Sequence, residues 1–129
     1  MLRLKPDDRD ALLYLGHGLN HAGDADGAVA AFRECARLDP NDPTPHRYIG
    51  QVLLRYKRDQ EGAMTELQEA VRLKPDDADC HNELGGLLAF CGRLDEGIAE
   101  FREALRLNPH CAEAQTNLAR AIGVKSAAS

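Results

Sequence analysis

The sequence predicts an all-α fold of stacked helical hairpins, and three observations carry that prediction. A Leu-x-Pro triplet returns four times, at Leu4-Lys5-Pro6, Leu38-Asp39-Pro40, Leu73-Lys74-Pro75 and Leu107-Asn108-Pro109, with the prolines 34, 35 and 34 residues apart. Between the prolines, apolar residues recur every three or four positions, the period of a helix and not of a strand. The 129 residues are 43% hydrophobic but only 5% aromatic, with no Trp, so the packing must rely on Leu, Ala and Val in a way that suits helices.

Each interval splits into two helical stripes. In the first, residues 7–40, Leu12, Leu15, Gly16 and Leu19 form one stripe, and Ala28, Phe32, Cys35 and Leu38 form the next. Gly23 and Asp24 lie between them, where glycine can end a helix in a left-handed conformation at little cost. The second interval, 41–75, repeats the plan with Ile49-Gly50, Leu53, Ala63 and Leu67. It has one extra residue around Tyr56-Lys57-Arg58-Asp59 and no glycine there, so a distorted turn is expected. The third, 76–109, carries Leu84-Gly85, Leu88, Gly97 and Phe101, with Gly92-Arg93 at the turn. Each unit closes at its proline, which cannot continue a helix and biases the preceding residue away from helical angles. Small residues pair across each hairpin (Gly16 with Ala28, Gly50 with Ala63, Gly85 with Gly97), which lets the axes approach, while Phe32, Leu67 and Phe101 fill the space between pairs. Ala112, Gln115, Leu118, Ala119 and Ile122 continue as one more first-helix pattern, giving a capping helix over 110–123 and a frayed tail over 124–129. Residues 1–6 read as the end of a preceding repeat.

These residues resemble the tetratricopeptide repeat family, a helix-turn-helix unit of about 34 residues with the pattern W-x2-L-G-x2-Y, A-x3-F and P. Leu12, Leu15-Gly16, Leu19, Ala28, Phe32 and Pro40 follow that order in the first unit, and His81, Leu84-Gly85, Leu88, Gly97, Phe101 and Pro109 follow it in the third. The resemblance implies a right-handed α-solenoid of three helix-turn-helix repeats plus one terminal helix. It also implies a concave face, lined by the first helix of each pair, that holds peptides or partner segments.

Projecting those first helices places Asp10, Leu13, Tyr14, His17 and His21 on that face in the first unit, and Arg47, Tyr48, Gln51 and Arg55 in the second. Asp79, Asn82, Glu83 and Gly86 follow from the third, and Glu113, Thr116, Asn117 and Arg120 from the last helix. The charge along it is uneven. Residues 41–57 carry Arg47, Arg55 and Lys57 against Asp42, whereas 76–91 carry Asp76, Asp77, Asp79 and Glu83 with no Lys or Arg. A ligand with an acidic group near Arg47 and Arg55 and a basic one near Asp79 and Glu83 would meet complementary potential. Some relatives clamp an acidic chaperone tail with Lys, Asn and Arg. Here Leu13 and His17 stand at the first of those places, and Asp79 and Glu83 at the closing basic ones, so that clamp is broken.

The formal net charge of −5 argues against nucleic acid, whose binding depends on clustered Lys and Arg. No apolar run is long enough for a membrane span, no secretory leader is recognised, and a cytoplasmic location is expected. Cys35, Cys80, Cys91 and Cys111 include no C-x-x-C pair and read as reduced thiols. His17 and His21 lie one helical turn apart, a chelating spacing, but Gly18 stands where a zinc peptidase needs Glu and no further ligand is indicated. His46 and His81 occupy equivalent places at the large-aromatic position of the repeat, where packing is the expected role. Asp79-Cys80-His81 and His110-Cys111 lack an orienting third group, so no nucleophile is assigned. Asp24-Ala25-Asp26-Gly27 imitates part of a calcium loop, but Ala22 and Arg33 stand where its end ligands belong, and helix-start chemistry explains it. Without a phosphate loop, no cofactor, metal or enzymatic activity is expected. The leading reading is a protein-protein interaction module with a scaffold or assembly role, and self-association through the array ends is left open. The alternatives are an accessory substrate-presenting region of a larger enzyme such as a glycosyltransferase and, disfavoured by charge and by the Gly, Ala and Pro spacing, an RNA-binding pentatricopeptide array.

Overall fold

The computed structural model describes residues 9–128, so the expectation for residues 1–6 lies outside the described residues. All its regular structure is helical: α1 (Arg9–His21), α2 (Ala25–Leu38), α3 (Thr44–Val52), α4 (Gln60–Leu73), α5 (Ala78–Phe90), α6 (Leu94–Leu107) and α7 (Ala112–Ala128). A π-helical turn, Leu53–Lys57, prolongs α3. The chain forms two compact units, Met1–Leu73 and Lys74–Ser129.

The first unit holds the hairpins α1–α2 and α3–α4, with α2 also packed on α3. Its core joins Ala25, Ala28 and Phe32 of α2 to Ile49 and Val52 of α3, with Leu13, Leu19 and Tyr48 packed against them. Phe32 is completely buried, and its ring fills the space over Gly16, where an added Cβ would come within 2.5 Å of it. The close approach at Gly16 therefore makes room for the aromatic ring. Gly50 faces Leu67 and the Ala63 carbonyl, as the pairing predicts. The α1 stripe is narrower than predicted: Leu12 and Gly16 are buried, but Leu15 remains 46% exposed.

Helix ends follow local chemistry. Helix α2 ends at Leu38 and α6 at Leu107, and the next residues, Asp39 and Asn108, take nearly the same extended geometry (φ −140°, ψ 89° and φ −141°, ψ 91°) that a following proline imposes. Asp24 caps α2 by accepting a 2.9 Å bond from the Gly27 N–H, and Asp59 does the same for α4 with Gly62. Helix α6 has Arg93 at this place, which makes no cap bond and instead reaches Glu96. Gly23 and Gly92 turn the first and third hairpins at φ 85° and 86°. In the second hairpin Arg58 occupies the left-handed position at φ 50°, and the extra residue is taken up by the π-helical turn before it. The expected distortion thus takes the form of a widened last turn closed by a strained arginine. Tyr56 in that turn donates to the Asn20 carbonyl at 2.6 Å, and Lys57 pairs with Asp26 at 2.8 Å, fastening it to the last turn of α1 and the first turn of α2.

The second unit packs α5 against α6, and α7 against α6 and α5. Gly85 and Gly97 let the two backbones nearly touch: a Cβ on Gly85 would lie 2.8 Å from the Phe101 ring and 3.0 Å from the Gly97 carbonyl, and one on Gly97 2.9 Å from the Gly85 carbonyl. Ile98, Phe101 and Ala121 form the core, with Ala89, Leu94 and Leu118 against it. Helix α7 passes through Gly123 and continues to Ala128, so the frayed tail is corrected to helix. Lys125 in that extension pairs with Asp95 of α6 at 2.5 Å.

His46 and His81 do more than fill space. Each holds a carboxylate of its partner helix: His46 Nδ1 lies 3.1 Å from Glu66 Oε2, and His81 Nδ1 lies 2.6 Å from Glu100 Oε2. Glu66 also accepts from Arg33 at 2.9 Å. Burial acts to raise the Glu66 pKa, but His46 and Arg33 outweigh it and the net shift is down. His81 is buried, and its other nitrogen faces the Pro75 carbonyl at 2.6 Å. Both neighbours are acceptors, so only the doubly protonated imidazolium satisfies both. Burial opposes that charge, but the Glu100 carboxylate and Pro75 carbonyl prevail and hold the His81 pKa above its ordinary 6.5.

Gly86, one residue from the crowded Gly85, has nothing within 4 Å of its added Cβ. Gly85→Ala is therefore expected to destabilise by about 1–3 kcal/mol through overpacking, whereas Gly86→Ala should stabilise by about 0.5–1 kcal/mol; urea titrations of the two variants check this. Arg58→Gly should raise stability by about 0.5–1 kcal/mol on relief of the left-handed strain, measured as a shift in the urea midpoint. Because the His81 pKa is raised in the fold, its stabilisation is fully present below pH 6.5 and is lost as pH climbs through the folded value. The melting-temperature gap between the parent and His81→Gln should accordingly narrow from mildly acidic to alkaline pH.

Candidate functional site

One ion pair recurs at the same place on the second helices. Glu34 with Arg37, Glu69 with Arg72, and Glu103 with Arg106 repeat the same (i, i+3) ion pair on α2, α4 and α6. In each, the hydrogen bond from the arginine leads the effects that hold the carboxyl below its ordinary range. Such exposed pairs contribute little to stability.

The first helices differ. In the first unit, Tyr14 projects from α1 with 77% of its surface exposed, and His21 is exposed in the last turn. His17 is half-buried and sits edge-on to Tyr48 of α3 (centroids 4.4 Å apart, 79° between planes) and to Phe32 (5.4 Å, 72°). Tyr48 in turn lies 5.3 Å from Phe32. An aromatic ladder therefore runs from the surface to the core, and His17 and Tyr48 are brought together across α1 and α3. Arg47 is half-buried and Gln51 exposed. Arg55 is exposed on the π-helical turn, its guanidinium 5.5 Å from the Tyr56 ring centre.

In the second unit Asp79 is exposed at the start of α5 and Glu83 is half-buried one turn on. Asn82 is only 5% exposed: its amide donates to Glu113 at 3.3 Å and accepts from Asn117 Nδ2 at 3.1 Å. Asn82 and Asn117 are thus engaged with each other, joining α5 to α7. Arg120 is exposed on α7 and has no acidic partner among the described residues.

One feature of this unit escaped the sequence reading. Between α5, α6 and α7 lies a cavity of about 270 Å³, lined chiefly by Phe90, Leu94, Phe101, Ala121 and Val124, with Gly86 and Ala89 on one wall and Asn117 and Arg120 beside it. Phe90, at 75% exposure, and Val124, at 51%, leave apolar surface uncovered around it. The signal for it lay in the small residues Gly86, Ala89 and Ala121, which leave room where helices face one another, but only the crossing of α5 and α7 shows that these gaps coincide.

None of the four cysteines is in a disulfide; Cys35 and Cys80 are buried. Burial raises the Cys35 thiol, and its sulfur lies 3.7 Å from the Arg9 carbonyl. No three His, Cys, Asp or Glu side chains among the described residues converge as a metal set, and no described helix is long and apolar enough to cross a membrane.

The tetratricopeptide repeat family model matches residues 9–52 and 78–121, more than half of the chain. The first TPR domain of Spaghetti (RPAP3), solved with the HSP90 peptide SRMEEVD, aligns at a TM-score of 0.83 and 19% identity over 100% of both chains. The crystal structure of MamA aligns at 0.78 and 22% identity, covering 95% of this chain and 71% of that one. A mutant O-GlcNAc transferase of Thermobaculum terrenum aligns at 0.80 and 25% identity over 94% of this chain but 23% of its own. No curated protein matches the sequence. Helical hairpins crossing at glycine, prolines closing each repeat and a family match on both units lead to one conclusion: the chain belongs to the tetratricopeptide repeat family, whose fold is a protein-interaction module.

Proposed function

We propose that this chain is a non-enzymatic module that holds a peptide or a segment of a partner protein against its first-helix faces, in a scaffold or assembly role. The observation that carries this reading is the contrast between the two kinds of helix. The second helices repeat one Glu–Arg pair three residues apart, whereas the first helices present an exposed Tyr14, an aromatic His17–Tyr48 pair and the exposed cations Arg55 and Arg120. Aromatic and arginine side chains are the groups that most often carry interface energy. Tyr14, His17, His21, Arg47, Tyr48, Gln51 and Arg55 form the contact set of the first unit in this reading, and Asp79, Glu83 and Arg120 that of the second. Asn82 and Asn117 support the second surface from within.

The partner is polypeptide. A net charge of −5 gives a phosphate backbone little to bind. The HSP90 peptide held by the RPAP3 relative is a precedent for the manner of binding, not for the ligand, because Leu13 and His17 supply no equivalent of the Lys and Asn that clamp such an acidic tail. Four cysteines outside any disulfide suit a reducing, cytoplasmic setting.

An affinity capture from extract of the source cells, read by mass spectrometry, tests the proposal. The immobilised parent should retain a defined set of proteins, and the double variant Tyr14→Glu, Arg55→Glu should retain them roughly tenfold less or worse, since two exposed anchors are removed without touching the core. Equal recovery by both would refute the assignment of the first-helix face.

A further inference from the structure

We propose that the cavity between α5, α6 and α7 is an anchor pocket for one bulky apolar side chain, Leu- or Phe-like, of an extended partner segment, and that Arg120 pairs with a Glu or Asp beside that side chain. The inference rests on the proposed function above and names the chemistry of the ligand in the second unit. At about 270 Å³ the space falls below the roughly 300–1,000 Å³ of small-molecule and cofactor sites, and suits a single large side chain. Its wall is preformed: Phe101 is buried and rigid, and Gly86 contributes no side chain, so α5 leaves the space open. Phe90 and Val124 remain largely exposed at its sides, apolar surface that an inserted side chain would cover.

Charge selects the neighbour. Helix α7 carries two cations in its described residues. Lys125 is satisfied by Asp95, but Arg120, which lines the cavity, has no acidic partner among the described residues. Planar guanidinium is well matched to a carboxylate, and an acidic residue next to the buried side chain would fix the register of the segment. A second copy of this chain is the rival occupant.

The test is an amide NMR titration of the full chain with two synthetic peptides, acetyl-Gly-Ser-Gly-Phe-Glu-Gly-Ser-amide and the same peptide with Lys in place of Glu. The Phe-Glu peptide should give saturable shifts at Gly86, Ala89, Arg120 and Ala121, with half-saturation at about 1 mM or below. The Phe-Lys peptide should bind at least about tenfold more weakly. Gly86→Leu, whose Cβ meets nothing within 4 Å and whose longer side chain would occupy the pocket, should abolish those shifts while an unchanged amide spectrum elsewhere shows that the fold is kept. Arg120→Glu should invert the preference between the two peptides. Saturable shifts confined to α1 and α3 would overturn the pocket while leaving the proposed function standing. Absence of shifts at these four residues with about 10 mM peptide would also overturn it, as would shifts at the same residues that appear on raising protein concentration alone.

Discussion

The architecture depends on how closely two helices of a hairpin can approach, and glycine on the first helix sets that distance. At Gly16 the freed volume receives the ring of Phe32, and at Gly85 it receives Phe101 while the Gly97 carbonyl closes to near contact. The two solutions are related but not the same. In the first unit the ring reaches α3 and forms a core with Ile49 and Val52; in the second the glycine pair draws α5 onto α6, and Phe101 meets Ala121 of α7. Since interiors are packed to crystal density, a single methyl at either crossing has to displace a rigid ring. The hairpin geometry, and with it the direction in which first-helix side chains point, follows from two or three absent Cβ atoms.

Polar groups then secure what packing has placed. The aromatic position of the repeat is histidine in the second and third hairpins, and each imidazole holds a carboxylate from the opposing helix. At His81, where burial is outweighed by the Glu100 carboxylate and the Pro75 carbonyl and the pKa is raised, this makes the α5–α6 pairing sensitive to proton activity in a way that an aromatic hydrocarbon would not be. The extra residue of the second hairpin is accommodated by widening the last turn of α3, which puts Tyr56 and Lys57 within reach of the last turn of α1 and the first turn of α2. An insertion that interrupts the repeat thereby acquires tertiary contacts of its own.

The distribution of charge connects the fold to its role. The second helices carry one Glu–Arg pair each, three residues apart. On the first helices and the turn that prolongs α3, Arg55 and Arg120 are exposed, and in the proposed role long-range complementarity would govern encounter and register more than raw affinity. The cavity at α7 adds the apolar component that a charged surface lacks, since burial of one large side chain contributes about 1.5–3 kcal/mol where an exposed ion pair contributes less than about one.

Helix number, hairpin order and the stops before each proline were legible in the chain, because periodicity, missing N–H groups and glycine are local constraints that act wherever the residue stands. Leu12, Gly50, Gly85 and Phe101 were placed correctly from spacing alone, and the awkward turn near Arg58 was foreseen, though not its π-helical form. Other features needed three dimensions. Asn82 had the periodicity of a surface residue but is buried, since Glu113 and Asn117 reach it from thirty or more positions away. The helix runs on beyond Gly123 to Ala128, where Lys125 meets Asp95 of α6. The pocket exists only where gaps on separate helices coincide. Local preference is written residue by residue, whereas burial, pairing and empty space are properties of pairs distant in sequence, and only the packed chain decides them.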